Sequence, residues 1–406
     1  MTITSTLTEL TNTAQDFAVA IALFPETEQV PQSALTVTLI DSVCKWQAND
    51  SDWSRLTQGH PLHSQAWLRS WWEEMGSQHG QLAIARISDA HQVVGFAPCF
   101  VEHSWKGTTL RFLGSGTTCT DYLDIFCRPS DAPRVAQALT HWLDSADFRR
   151  SFGSIDLIEL EGHHANASGV TAWQDVLAQR GWTEEIAPLE SCWVVEFPST
   201  WDEYVSRLSH RGRRRARNAI KNLQSGAMTC QVWDQHDDVV AHWQEFVSLH
   251  QKRRYQKGEP GCFAEGPFEQ FLRRAVFRLA ELGQASLVEL RCKEHTIAVA
   301  LQMQVQNTRF LYQTGMDTDY IKLEPGHVIN AILLSQAQSQ GASNFDFLRG
   351  NEPYKARLGA QAVPLVRTRL WNPRMTSQVR AHMLAVGRRV KQWFQNDFNS
   401  TSTEQD

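Results

Sequence analysis

The chain has 406 residues, of which 42% are hydrophobic and 20% charged, and its formal net charge is −5 at pH 7. This length suits two domains or one duplicated unit, and the composition is that of an ordinary globular protein. The acidic balance excludes indiscriminate binding of nucleic acid by the whole surface, so DNA is not an expected partner, although a local basic patch stays open.

The eight cysteines are scattered singly, with no Cys-x-x-Cys pair. This pattern indicates reduced core residues of a cytosolic protein, with neither a disulfide set nor a zinc site. No metal ligand set is predicted elsewhere in the chain.

The two ends of the chain are polar. Residues 1–30 are Thr-rich and lack the basic start of a secretion signal, and no apolar run approaches the ~20 residues needed to span a bilayer. We therefore expect a flexible segment at 1–30, a disordered tail at the end of 376–406, no transmembrane segment and a cytoplasmic location.

In the first half of the chain, apolar periodicity predicts helices and strands in alternation. The expected elements are a helix at 63–75, strands at 81–87, 93–101, 108–113 and 122–127, a helix at 131–145, a strand at 155–160, a helix at 170–180 and a strand at 192–197.

The second half repeats much of this order, with clearer end signals such as the capping-box candidate at 200–203. The expected elements are helices at 200–223, 237–254 and 267–283, strands at 285–291, 296–305 and 309–314, a helix at 325–340, strands at 344–348 and 364–370 and a basic helix at 377–394. The duplication predicts an α/β (α+β) fold with mixed, largely antiparallel sheets flanked by helices. A single α/β domain with insertions is the alternative.

One segment resembles a known family. Residues 345–355, Phe-Asp-Phe-Leu-Arg-Gly-Asn-Glu-Pro-Tyr-Lys, resemble the signature of GNAT-type acyltransferases of cellulose and exopolysaccharide biosynthesis (the CelD type), which are similar to Fem-type peptidyltransferases. Weaker matches extend the resemblance over about residues 50–375; they lie at 67–71, 112–115, 121–124, 211–217 and 320–326.

The resemblance implies tandem GNAT-like halves. The first would cover 31–198 and the second, with the catalytic motif, 199–375, followed by a C-terminal helix and tail at 376–406.

The 345–355 segment joins a buried strand to a loop, which is where α/β units carry function. Asp346 could act as a general base towards an amine or hydroxyl, with Tyr354 as a proton donor and Lys355 as a catalytic cation. Arg349 and Glu352 are the expected substrate contacts. The same charges could instead form Asp–Arg or Glu–Lys pairs that hold a turn, and residue types alone leave this open.

Three further residues are expected to bind the acceptor. Asp121 and Tyr122 follow a Gly-Ser-Gly turn in the first half, where they could face a cleft between the halves, or belong to an exposed edge strand. Gln313, in the predicted strand 309–314, is the third.

Arginines are concentrated in the predicted helix 200–223. Arg211, Arg213, Arg214 and Arg217 repel one another, so helix stability does not explain them, whereas the phosphates of a donor or a tRNA do. Arg253, at the end of the next helix, extends this expected donor-binding patch. A solvated basic face is the alternative.

The segment before the helix at 325–340 departs from the usual CoA-binding loop. A GNAT enzyme holds the CoA pyrophosphate with backbone N–H groups there, but here Glu324 repels phosphate and Pro325 lacks a donor. The resemblance to Fem-type enzymes implies a donor other than CoA. Acyl-CoA, as co-substrate, and aminoacyl-tRNA therefore both stay open.

Together these features predict direct N- or O-acyl transfer to an amino sugar, a polysaccharide or cell-envelope precursor, or a similar small acceptor. Peripheral association with an envelope-polysaccharide machinery is an expected setting. The alternative is a non-catalytic accessory or nucleotide- or RNA-binding protein on a GNAT-like shell.

Overall fold

The computed structural model of the chain describes residues 34–401 except 91, 257 and 265, and it describes side chains as far as residue 389. The segment expected to be flexible, 1–30, and the last residues of the expected tail, 402–406, lie outside the described residues. The α-helices are α1 Val43–Gln47, α2 Asp50–Leu56, α3 Gln65–Glu74, α4 Ala132–Asp144, α5 Ala146–Phe152, α6 Ser168–Gln179, α7 Trp201–Arg207, α8 His210–Gln224, α9 His236–Gln256, α10 Pro267–Glu281, α11 Pro325–Ser339, α12 Pro353–Arg357 and α13 Met375–Thr401.

Seventeen strands are described. They are β1 Thr36–Ile40, β2 Gly80–Leu82, β3 Ile84–Asp89, β4 Gln92–Ala97, β5 Cys99–Ser104, β6 Gly107–Phe112, β7 Phe126–Cys127, β8 Leu157–His164, β9 Thr183–Pro188, β10 Cys192–Glu196, β11 Thr229–Trp233, β12 Ala285–Cys292, β13 His295–Val305, β14 Thr308–Met316, β15 Asn344–Arg349, β16 Gln361–Val363 and β17 Leu365–Trp371.

The C-terminal half folds around a seven-stranded sheet. Its order is β11-β12-β13-β14-β15-β10-β16, and only β14 and β15 are parallel. The predicted hairpin is present as β12 and β13, which turn at Lys293. α11 connects β14 to β15, because parallel neighbours need a crossover connection.

The N-terminal half contains a six-stranded sheet with the same plan. Its order is β2-β5-β6-β8-β17-β9, and β6 and β8 form its parallel pair. A four-stranded sheet, β1-β3-β4-β7, adjoins it. The chain passes from one sheet to the other at Ala83, between β2 and β3, and at Pro98, between β4 and β5. The predicted fold of two similar halves, with mixed, largely antiparallel sheets flanked by helices, is confirmed.

The two halves exchange one strand each. β10, which comes before the second half in sequence, lies in the C-terminal sheet between β15 and β16. β17, which is near the end of the second half in sequence, lies in the N-terminal sheet between β8 and β9. The expectation that the strand at 364–370 completes the C-terminal unit is therefore wrong, whereas the domain boundaries remain a prediction.

The helix expected over 200–223 is in fact two helices. Leu208 and Ser209 have extended backbone between α7 and α8, and the Ser209 hydroxyl caps α8 by accepting a hydrogen bond from the Gly212 N–H (3.1 Å). Serine is a favoured N-cap residue, which explains the new start. The arginine run therefore lies at the beginning of α8 and not in the middle of a helix.

The strand expected over 122–127 is reduced to β7. The preceding loop contains Cys119 and Tyr122 with positive φ values of 47° and 65°, which strand geometry does not allow. The chain thus approaches the other half as a loop.

The larger hydrophobic core crosses from one half to the other. It includes Trp53 and Trp67 of the first half and Phe246 and Phe271 of the second. Trp67 packs edge-on against Phe271, with ring centroids 5.0 Å apart. The many tryptophans therefore have the buried surroundings that their size requires.

The cysteines are free thiols. Cys99 and Cys192 are buried as expected, but Cys44 is exposed, so the prediction of core positions does not hold for it. Among the described helices, none combines the length and the apolarity needed to cross a membrane.

Candidate active site

β15 carries the 345–355 segment to the point where two parallel strands separate. β14 and β15 stay paired only as far as Phe310 and Asp346, after which β14 continues to Met316 without β15. Ligands commonly bind in the crevice beyond the carboxyl ends of such strands. Asp346 lies where this crevice begins.

The Asp346 carboxylate is buried, and only 4% of the residue is exposed. One oxygen accepts a hydrogen bond from the Tyr122 hydroxyl (2.6 Å) and the other from the Leu348 N–H (2.7 Å). Burial raises the pKa of Asp346 to about 7, although both hydrogen bonds and the Lys355 ammonium oppose this rise. A carboxyl that titrates near neutral pH is well suited to general-base catalysis.

Tyr122 reaches Asp346 from the N-terminal half. Its ring stacks on His164 with centroids 5.0 Å apart, and its φ of 65° is uncommon for a residue with a side chain. Such conformations persist only where the surroundings enforce them. The loop therefore holds the Tyr122 hydroxyl against Asp346 across the two halves.

Asp121 and Arg349 form a buried ion pair beside this contact. The Asp121 carboxylate accepts from Arg349 Nε (2.7 Å) and from the Arg349 backbone N–H (3.1 Å), and Arg349 Nη2 lies 2.7 Å from it. Gly162 makes room for the pair, because a Cβ atom there would lie 2.8 Å from Arg349 Nη2 and its φ is +82°. Arg349 Nη1 also lies 3.8 Å from the Glu161 carboxylate, so Arg349 is engaged with acidic residues of the first half and we assign the pair to joining the halves.

The Lys355 ammonium is enclosed within the turn of its own segment. It donates to the carbonyl oxygens of Leu348, Arg349 and Gly350 at 3.0–3.1 Å and pairs with Glu352 Oε2 at 3.0 Å, and 2% of the side chain is exposed. These partners occupy its three protons. Of the two roles left open by the sequence, this geometry supports the one that holds the turn.

Substitution of Lys355 by Met is therefore expected to lower the free energy of unfolding by about 2–3 kcal/mol, since carbonyl oxygens lose a charged donor. Denaturant unfolding measures this. Lys322→Met is the matched control, because Lys322 is exposed and should change stability little. A fully stable Lys355→Met variant without activity would instead support a catalytic role.

Three other expected site residues border the crevice. Tyr354 packs edge-on against Phe347 with centroids 5.9 Å apart, and burial raises the pKa of its hydroxyl, an effect that the charge of Arg253 opposes. Gln313 donates to the Cys262 sulfur at 3.5 Å, while its buried carbonyl oxygen has no partner among the described residues. An unpaired buried oxygen is free to accept a hydrogen bond from a ligand.

The arginines of α8 divide into two groups. Arg213 donates to the carbonyl oxygens of Ser206 and Leu208, so it caps α7. Arg211, Arg214 and Arg217 are exposed and form no ion pair with other described residues. Of the α8 arginines expected to bind phosphate, all except Arg213 therefore have side chains that a ligand can reach.

The acidic residue expected to repel phosphate is neutralised. Arg215, which was not among the predicted site residues, forms a two-pronged ion pair with Glu324 just before α11. His327 follows in the first turn of α11, where the positive charges of Arg215, Arg357 and Arg211 lower its pKa after the larger effect of burial. The start of α11 is therefore a positive environment despite Glu324.

The residues that directly follow the 345–355 segment are in contact with this basic region. Arg357 ends α12, and its carbonyl oxygen lies 3.8 Å from the position of a Cβ atom at Gly212 in the first turn of α8. The Tyr204 hydroxyl of α7 donates to the Leu358 carbonyl oxygen (2.7 Å). The end of α12 therefore packs against α7 and α8, the second of which carries the exposed arginines.

The structure thus brings together Asp121, Tyr122, Asp346 and Arg349, which were predicted in separate halves. It also places the Cys192 thiol beside Asp121 and Tyr122, and burial raises the pKa of this thiol. Cys192 was missed, because nothing in the sequence shows that β10 pairs with β15 in the other half.

One side-chain group in the described part of the chain has metal-ligand geometry. Atoms of His242, Glu245 and Glu289 lie within 4.8 Å of one another. However, Glu289 already accepts hydrogen bonds from Trp233 Nε1 (3.0 Å) and the Thr296 hydroxyl (2.5 Å). The absence of a metal site stays a prediction.

Residues 210–356 match the family described as "Acetyltransferase (GNAT) domain". This range contains the exposed arginines of α8, both strands of the crevice and the motif up to α12. The second half therefore contains a segment that is similar to GNAT acetyltransferase domains. The predicted enzyme class, an acyltransferase, is confirmed, whereas its CelD type is not.

Solved structures that resemble the chain in fold include the two that follow. The structure of FemX shares 13% sequence identity, with a TM-score of 0.57, and the likeness covers 78% of this chain and 95% of FemX. A conserved protein of unknown function from Bacteroides thetaiotaomicron VPI-5482 shares 11% identity, with a TM-score of 0.52 and coverage of 83% and 100%. Among curated proteins, none matches the chain by sequence. At these identities the likeness concerns the fold, and in both cases it extends beyond the GNAT domain to most of the chain.

Proposed function

We propose that the protein transfers an acyl group from a phosphate-bearing donor to the amine or hydroxyl of an amino sugar or a related polysaccharide or cell-envelope precursor. The observation that carries this proposal is the Tyr122–Asp346 pair at the end of β15, within a half whose helix α8 carries exposed arginines. A proton acceptor that titrates near pH 7 and a cluster of cations that can hold phosphates are the two parts that such a transfer needs.

The acceptor amine would approach the donor carbonyl in the crevice between β14 and β15. As its nitrogen attacks the carbonyl carbon, its proton passes to the Tyr122 oxygen while the Tyr122 hydroxyl proton passes to Asp346. The new C–N bond forms, the bond from the carbonyl carbon to the carrier sulfur or oxygen breaks, and the proton held by Asp346 returns through Tyr122 to the leaving carrier. The same proton path serves a hydroxyl acceptor.

The donor would be held at the start of α8 and α11. Arg211, Arg214 and Arg217 contribute charge without an internal ion pair, and Arg215 cancels the charge of Glu324. Both acyl-CoA and aminoacyl-tRNA combine a transferable acyl group with phosphates, so both fit this chemistry.

The acceptor class rests on the resemblance of the 345–355 segment to exopolysaccharide acyltransferases. Within the crevice, the unpaired carbonyl oxygen of Gln313 could receive an N–H or O–H of such an acceptor. Arg253 lies close enough to Tyr354 to interact with it, and Arg253 would contribute a positive charge at the border of the crevice.

Thermal unfolding in the presence of acetyl-CoA, a long-chain acyl-CoA, UDP-amino sugars and tRNA tests the proposal, because a ligand of the folded state raises the unfolding temperature. A shift with an acyl-CoA, followed by an acylated amino sugar in the mass spectrum, supports it with CoA as carrier. A shift with tRNA and acyl transfer only from aminoacyl-tRNA supports it with tRNA as carrier. A shift without any product from either donor would favour the accessory, non-catalytic alternative.

Arg211→Ala and Arg214→Ala are each expected to weaken donor binding about tenfold, because each removes a charge-assisted hydrogen bond, while kcat at saturating donor changes little. Kinetics with varied donor concentration measure this. Arg207→Ala is the matched control, since Arg207 is exposed and already pairs with Glu203 at 2.6 Å. Unchanged donor KM in both variants would remove α8 from the donor site.

A further inference from the structure

The C-terminal helix α13 is held on the protein by one of its faces. The Ser377 hydroxyl donates to Asp156 (2.6 Å), and Arg380 pairs with the same carboxylate (2.9 Å). Further along, Arg388 pairs with both oxygens of Glu185, at 2.5 and 2.7 Å. These contacts, between Ser377 and Arg388, fix the rotation of the helix about its own axis.

The opposite face of α13 is apolar and exposed. The exposed fractions are 82% for Met375, 53% for Val379, 53% for Met383 and 43% for Val386. These positions are spaced by four, four and three residues, so they form one stripe along three turns of helix. The ion pairs on the other face prevent this stripe from turning inward.

The charge of the helix distinguishes the surfaces that could cover this stripe. Residues 375–401 contain four basic residues, Arg380, Arg388, Arg389 and Lys391, against one acidic residue, Asp397, although the whole chain has a net charge of −5. Asp156 and Glu185 neutralise Arg380 and Arg388 on the face that is held, so the charge near the stripe comes from Arg389, and two copies paired through α13 would bring these arginines together. An anionic surface would receive both the apolar stripe and the charge, with exposed Arg389 forming no ion pair among the described residues.

We propose that α13 lies on an anionic lipid membrane, with Met375, Val379, Met383 and Val386 inserted between the headgroups. An amphipathic helix binds in the plane of the membrane surface in this way, and nearby basic residues strengthen its binding to anionic lipid. The helix is not long and apolar enough to cross a bilayer. This inference does not rest on the proposed acyl-transfer reaction.

Flotation of the full chain with lipid vesicles tests the inference. Vesicles of phosphatidylcholine are compared with vesicles of an equal mixture of phosphatidylcholine and phosphatidylglycerol, at low and high salt. We expect at least about tenfold stronger binding to the anionic vesicles, weakened by salt, because basic residues near an anionic surface contribute to binding within the Debye length.

The double variant Val379→Ser/Met383→Ser is expected to lose binding to anionic vesicles, and Arg389→Glu to weaken it about tenfold, since it reverses a charge. Val240→Ser/Leu282→Ser is the matched control, because these residues are also exposed, at 41% and 63%, but lie on α9 and just after α10. All of these positions are exposed, so folding should be retained, which circular dichroism verifies.

Two outcomes would overturn the inference. One is wild-type protein that stays unbound or binds both vesicle types equally. The other is a wild-type dimer that Val379→Ser/Met383→Ser converts to monomer without any effect on vesicle binding, since a second copy would then cover the stripe. Acyl-transfer activity measured with a soluble acceptor should be unchanged in these variants, so failure here is distinguishable from failure of the proposed function.

Discussion

Substitution of Asp346 by Asn is expected to lower kcat by about a hundredfold to ten-thousandfold, the range that a positioned general base contributes. Asn keeps the size of Asp and an oxygen that can accept the Leu348 N–H, so the crevice should keep its shape and KM should change little. Steady-state kinetics with saturating donor and varied acceptor measure both quantities.

The pH dependence of turnover distinguishes a base from a merely polar contact. Because the pKa of Asp346 is about 7, wild-type kcat should rise with pH through this value as the carboxylate forms. The rise should be lost in Asp346→Asn. Tyr122→Phe, which removes the hydroxyl between Asp346 and the acceptor, should slow turnover but leave the pH-dependent rise if Asp346 is the base. Wild-type turnover in Asp346→Asn would exclude Asp346 from the reaction.

The same Asn variant should be more stable than wild type above neutral pH. The pKa of Asp346 rises from 3.8 to about 7 on folding, so between these values the folded state binds more protons and stability falls as pH increases. Above pH 7 the cost reaches about 4 kcal/mol, which Asn avoids because it does not ionise. Unfolding at pH 5 and pH 8 should show the larger gain at pH 8, which is the stability–activity trade-off of an active-site residue.

Substitution of Arg349 by Met is expected to lower the free energy of unfolding by about 3–5 kcal/mol, because it leaves the Asp121 charge buried without its partner. Asp121 is fully buried and 9% of the Arg349 side chain is exposed, so solvent screens this pair little. Chemical denaturation at neutral pH measures the loss.

The double variant Asp121→Asn/Arg349→Met should recover much of this loss, because no charge then remains unpaired. Arg150→Met is the control, since the Arg150–Asp147 pair has side-chain exposures of 77% and 90% and should contribute less than about 1 kcal/mol. If Arg349→Met unfolds as easily as wild type but no longer binds acceptor, the substrate contact expected from the sequence is the better assignment.

Much of the fold could be predicted from the sequence because its elements have strong local signals. The Pro-started helix at 267–283 and the hairpin at 285–305 are present nearly at their predicted bounds. One error came from a local signal, the N-cap at Ser209, which divides the expected helix into α7 and α8. Another concerns the basic helix, since α13 continues to Thr401, beyond its predicted end.

The candidate site was only partly predictable, because its contacts join distant parts of the chain. The sequence indicated Asp346, Tyr122, Asp121 and Arg349 as separate features, but their contacts span more than 220 positions. No periodicity encodes a pairing between a loop of one half and a strand end of the other. The role of Lys355 depended on the three carbonyl oxygens that the turn directs at it, which residue types do not reveal.

The exchange of β10 and β17 has a consequence for how the protein is made. The N-terminal sheet receives β17 between β8 and β9, and β17 ends at Trp371 of 406 residues. While the ribosome is still translating the second half, β8 and β9 cannot yet be joined, and unpaired strand edges are prone to aggregation. Completion of the first half therefore waits until β17, which follows every described strand of the C-terminal sheet, has been synthesised.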